Sequence, residues 1–162
     1  MTIENCKITR TRFLNSILKP SLWLLFIIAL GICSYTSSSF DDRLMLFITI
    51  FIFFALLVGI YPLYTLYTYY RRDKNAVLIL NNGKKELVYE NEKIRLDYKY
   101  DDISSFRKVK WHMKYQSGIY YYEVSFNDGN VLYITSLLRK GLEKSLSAIP
   151  MVTEERWTAL IR

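Results

Sequence analysis

Two long uncharged apolar runs constrain this chain more than anything else in it. Residues 21–36 read SLWLLFIIALGICSYT, and residues 44–63 read LMLFITIFIFFALLVGIYPL. A 20-residue run rises about 30 Å as a helix, which is the hydrocarbon thickness of a bilayer. The first run is shorter. It gains length if its helix starts earlier, with Lys19 snorkelling to the headgroups. Only SSSFDDR, residues 37–43, separates the two. The pattern predicts a transmembrane helical hairpin at 20–72, preceded by a polar arm at 1–19 and followed by a soluble domain at 73–162.

Charge sets the expected orientation. Lys7, Arg10, Arg12 and Lys19 precede the first run, and Arg71, Arg72 and Lys74 follow the second. The spacer holds Asp41, Asp42 and Arg43. Basic flanks stay inside, so both termini are expected in the cytoplasm, with the protein multi-pass in a bacterial inner membrane. A signal peptide is the competing reading of the first run. Ile32 before Cys33 does not fit a lipoprotein signal, and the second run would anchor the chain in either case. Residues 1–75 carry 8 basic and 4 acidic residues, and 76–162 carry 14 and 11. Topology therefore accounts for much of the net charge of +7, and no nucleic-acid fingerprint is present. Cys6 and Cys33 are too separated for a disulfide framework or a metal site.

The arm gathers apolar residues late, so 12–19 is expected as an interfacial helix meeting Pro20. At the far end, 61–72 read YPLYTLYTYYRR, with Tyr61, Tyr64, Tyr67 and Tyr70 spaced by three. Trp23, Tyr61, Tyr64, Tyr67, Arg71 and Arg72 are the expected membrane-interface residues. Tyr67, Tyr69 and Tyr70 lie late for a belt, so the alternative is a helix that continues past the bilayer and packs on the soluble domain. Ala55 and Gly59 form a small-xxx-small pair, and the spans leave room for a homo-oligomer.

After Asp73 the period changes to two. Strands are expected at 76–80, 85–90, 93–100, 106–115, 119–126 and 131–135, with a two-residue hairpin turn at Asn82-Gly83. A left-handed Gly129 would pair Val124 with Leu132 and Tyr122 with Ile134. A helix is expected at 136–149, burying Leu138, Leu142 and Ile149 and ending at Pro150. A short last helix is expected at 154–161.

This order of elements resembles bacterial pleckstrin-homology-like (PH-like) membrane proteins. The stretch VLILNNGKKELVYENEKIRLDYKYDDISSFRKVK is similar to their early strands, with Tyr100, Asp102, Ile103 and Phe106 as the matching element. The resemblance covers about 76–150. It implies an α+β fold, with a PH-like β-barrel or sandwich closed by a C-terminal helix, and binding of phosphoinositides or protein partners. No phosphoinositide-binding loop can be matched, so that activity is not carried over.

No catalytic constellation is legible. His112 is the one histidine and lies among lysines. Asp101 and Asp102 read as a turn rather than an acid/base pair. Neither a cofactor nor a metal is expected. The best candidate site is a row on one strand, Lys108, Lys110, His112 and Lys114 with Arg107 at its start, facing lipid headgroups, a partner or plain solvent. Tyr120 and Tyr122 are expected in the core, with Tyr121 exposed. The leading expectation is a non-enzymatic, membrane-anchored interaction module that meets lipid, a protein partner or both. The alternatives are a small immunity protein against a membrane-acting toxin and an accessory subunit of a transport or secretion complex. Neither span carries an ionisable residue, which argues against a channel or transporter.

Overall fold

A computed structural model of the chain describes residues 3–36, 41–111, 118–156 and 161, with Arg43 described by its backbone alone. The elements run β1 (Ile3–Lys7), α1 (Arg10–Thr36), α2 (Asp42–Asp73), β2 (Val77–Asn81), β3 (Glu86–Glu90), β4 (Arg95–Lys99), β5 (Ile103–Trp111), β6 (Tyr120–Phe126), β7 (Val131–Thr135), α3 (Leu142–Ser145) and β8 (Met151–Arg156). The fold is α+β. One sheet has the order β1-β2-β3-β4 and the other β7-β6-β5-β8. They remain two sheets rather than a closed barrel.

The expected polar arm is divided. Residues 3–7 form an edge strand, paired antiparallel with β2 from Ile3↔Asn81 to Lys7↔Val77. Cys6 points from it into the core. The helical hairpin is therefore inserted between two neighbouring strands of one sheet, and the unit expected at 73–162 also takes in β1. The helix expected at 12–19 exists, but only as the first turns of α1.

The six expected strands form near their predicted places. The hairpin register is as expected, with Val124↔Leu132, Tyr122↔Ile134 and Gly129 at φ 84°. The Asn82-Gly83 turn is not the predicted two-residue loop. Asn81 pairs with Glu86, and the left-handed position falls on Lys85 at φ 55°. Alternation along the strands fills a first core between the sheets: Leu78, Leu80, Leu87, Phe106, Tyr122, Val124 and Ile134 are all buried there.

The closing helix is a correction. Residues 136–138 form a turn, Gly141 takes φ 71°, and α3 is only four residues long. A left-handed glycine cannot continue a right-handed helix. Leu138, Leu142 and Leu146 still reach the first core, and Ile149 packs partly against it. The last helix, expected at 154–161, is corrected at its start, and residues 157–160 lie outside the described residues. Residues 151–156 are strand β8, parallel to β5, where the edge of β5 offers unpaired main-chain groups.

Candidate functional site

The two helices pack antiparallel in a fixed register. Phe13 stacks on Tyr70 with ring centroids 4.2 Å apart. Gly59 faces Leu24 so closely that a Cβ there would come within 2.9 Å of it, and Gly31 lies against Ile52. Equal steps forward on α1 and back on α2 connect these pairs, so Lys19 lies level with Tyr64 and Arg12 with Arg71. Gly59 is thus a helix contact within the chain.

The last turns of α2, level with the first turns of α1, form a second core with the outer face of the second sheet. Leu66 and Tyr69 bury against Val109, Trp111, Ile119 and Tyr121, with Phe13, Ile17, Tyr61 and Tyr70 around them. Tyr61 meets Trp111 at a ring distance of 4.9 Å. The tyrosine stripe divides: Tyr64 and Tyr67 stay 57% and 56% exposed, whereas Tyr69 is 0% exposed. Trp23 and Arg71 are exposed, while Arg72 lies over the Tyr133 ring at 5.2 Å. Tyr121 was expected outside. It is buried because the helix extension covers the face it occupies, and Arg156 donates a 3.3 Å hydrogen bond to its hydroxyl.

A polar junction pins the hairpin to the end of β7. Thr135 Oγ1 donates to Asp73 Oδ2 at 2.6 Å, in a buried setting. Arg12 Nη1 donates to the carbonyls of Leu137 and Leu138 at 3.3 and 2.8 Å. Arg139 Nη2 donates to Glu4 on β1 at 2.6 Å. In the sequence Arg12 reads only as a topology charge and Asp73 as a boundary. Nothing in the sequence marks their distant partners. Burial pushes the Cys6 thiol up.

The basic row does not form one solvated face. Lys108 is 12% exposed and donates to Glu143 at 2.9 Å, with its ammonium 4.4 Å from the Tyr120 ring centroid. Tyr122 also donates to Glu143 and accepts from the Leu142 amide at 3.2 Å. Burial raises the Glu143 carboxyl, but the bonds from Lys108 and Tyr122 outweigh it and hold the group at about 2. Burial, then the bond to Glu143, pushes Tyr122 up. Lys110 is half-buried on the same face, beside Tyr120 across the strands. Arg107 is exposed on the opposite face, beside Glu123. His112 and Lys114 lie outside the described residues. Asp102 accepts from the Lys99 amide at 2.9 Å within a 3₁₀ turn, so it caps the turn rather than pairing with Asp101. Among the described residues no cluster of His, Cys, Asp and Glu is arranged to hold a metal.

Two packed sheets with a short closing element are the architecture of a PH-like domain. A family model described as PH domain matches residues 5–143, and the chain belongs to that family. The match starts in β1, runs through both helices and stops at Glu143, before β8. No curated protein and no solved structure matches the chain. PH-like domains are generally non-catalytic binding modules.

Proposed function

We propose that this chain is a membrane-anchored, non-enzymatic interaction module. Its hairpin crosses the cytoplasmic membrane, both termini lie inside, and the PH-like domain meets a protein partner, lipid headgroups or both at the inner surface. One contrast along the helices carries this reading. Leu25, Phe26, Phe47 and Phe51 are all exposed on the apolar shafts, whereas Leu66, Tyr69 and Asp73 are buried against the domain. Both helices are long and apolar enough to cross a bilayer. A soluble protein with so much exposed apolar surface would aggregate. Direct packing of α2 on the second sheet then makes the domain a rigid extension of the anchor rather than a tethered bead.

The test has two parts. Membranes are extracted with alkaline carbonate, and the tagged full chain is pulled down in mild detergent and its partners are read by mass spectrometry. Retention in the pellet with a stoichiometric partner supports the module. Release into the carbonate supernatant overturns the anchor. A cysteine at Ser38, in a Cys6→Ala/Cys33→Ala background, is expected to label from outside intact cells, and one at Asn127 only after lysis. Labelling of Asn127 in intact cells overturns the orientation.

A further inference from the structure

We propose that the edge of β5 is the docking site for an extended, acidic segment of a partner protein, and that β8 occupies this site in cis. The inference rests on the interaction-module reading and names the surface used.

Four observations converge on β8. It lies at 151–156, past the point where the family match ends. Its pairing with β5, from Phe106↔Met151 to Trp111↔Arg156, is the one parallel pairing among the described residues. None of its six residues is buried, and Val152 is 61% exposed. Met151 packs partly against the first core and Arg156 bonds to the Tyr121 hydroxyl, while the rest of the strand is held by main-chain pairing and charge. The charges are complementary: β5 reads Phe106-Arg107-Lys108-Val109-Lys110-Trp111, and β8 brings Glu154 and Glu155 against it. Glu155 lies opposite Lys110 in the register. Glu154 is held below the usual carboxylate range, first by its bond from Arg156 and also by the charge of Arg107.

A cationic edge strand resists indiscriminate pairing and selects an incoming strand with carboxylates. In β-strand addition, main-chain bonds give affinity and alternate side chains give specificity. Here successive residues of the incoming strand meet opposite faces of the sheet. One carboxylate meets Lys110 on the side of the first core, and its neighbour meets Arg107 on the other. Lys108 is already committed to Glu143, so Arg107 and Lys110 are the reading residues. A tethered strand is present at an effective concentration on the order of millimolar. A free segment thus competes poorly until β8 is loosened, which makes β8 a built-in gate on the site.

The test uses the full chain in detergent micelles and a fluorescent synthetic peptide with the sequence of residues 150–157. In the Glu154→Lys/Glu155→Lys variant, β8 is repelled by β5 and the edge is freed. This variant is expected to bind the peptide at least tenfold more tightly than the wild type does. Adding Arg107→Gln and Lys110→Gln is expected to abolish that binding, because neutral positions attract neither the acidic peptide nor the lysine-bearing β8. If the doubly reversed β8 impairs folding, Glu155→Gln gives a milder loosening with the same direction of effect. A folded, loosened variant that ignores the peptide overturns the proposal, as does binding indifferent to the charges on β5. A loosened variant that forms a dimer which the peptide cannot dissociate also overturns it, because the occupant is then a second copy. The assay needs no bilayer, so its failure is distinct from failure of the anchor.

Discussion

Asp73, the last residue of α2, accepts a 2.6 Å hydrogen bond from Thr135, the last residue of β7. The two are 62 residues apart in sequence, and both are fully buried. This bond ties the helical hairpin to the second sheet close to where Arg12 ties α1 to the carbonyls of Leu137 and Leu138. Breaking a buried hydrogen bond by removing one partner costs about 1–3 kcal/mol, because the other is left unsatisfied. Asp73→Ala and Thr135→Val are each expected to lower the melting temperature of the detergent-solubilised chain. Their double mutant is expected to lose less than the sum of the two. Strict additivity would show that the bond contributes nothing to stability.

Neighbouring tyrosines on α2 are expected to behave oppositely. Tyr69 is sealed in the second core and Tyr67 faces outward. Truncating a buried aromatic costs about 3–5 kcal/mol, whereas an exposed one away from such features shifts stability by about 0.5 kcal/mol or less. Tyr69→Ala should therefore destabilise the chain strongly and Tyr67→Ala hardly at all, measured by thermal melting in micelles. Equal losses would remove the helix extension from the domain.

This pair also shows what the sequence could carry. Period-two alternation made the strands, their faces and the β6–β7 register legible, because local pattern alone fixes them. The long apolar runs made the helices legible for the same reason. The partners of Asp73, Arg12 and Lys108 were not legible, since each contact joins residues far apart in the chain. Tyr121 was misplaced because alternation gives its face but not what covers that face. The segment 136–149 misleads through its leucine spacing. Leu138, Leu142 and Leu146 reach the core from a turn and a short helix just as they would from one long helix, and only Gly141 hints at the break.

Acid titration is expected to report the Lys108–Glu143–Tyr122 cluster. The Glu143 carboxyl falls from an ordinary 4.5 to about 2 in the folded chain. A depressed carboxylate contributes stability that is present above the unfolded value and lost as pH falls through the folded value. The loss therefore falls between about pH 4.5 and pH 2, as the carboxylate is protonated. Melting temperature is expected to drop across this window in the wild type. Glu143→Gln should be less stable at pH 7 and should show a smaller drop on acidification. Parallel acid profiles for the two proteins would show that the cluster adds no pH-dependent stability.

Gly59 gives the clearest test of the hairpin itself. A Cβ at this position would meet Leu24 at 2.9 Å, and the nearest atom is the end of a flexible side chain. Membrane helices associate largely by van der Waals packing, so small residues at the contact set how closely the backbones approach. Gly59→Ala combines a helix-propensity gain of about 1 kcal/mol with a clash that Leu24 can relieve by moving, so its net effect should be small. Gly59→Leu cannot be absorbed in this way, and overpacking costs about 1–3 kcal/mol. It should lower the melting temperature in micelles. Adding Leu24→Ala, which makes space on the facing helix, should recover much of the loss. If Leu24→Ala instead destabilises Gly59→Leu as much as it does the wild type, the two positions do not meet and the register of the hairpin is wrong.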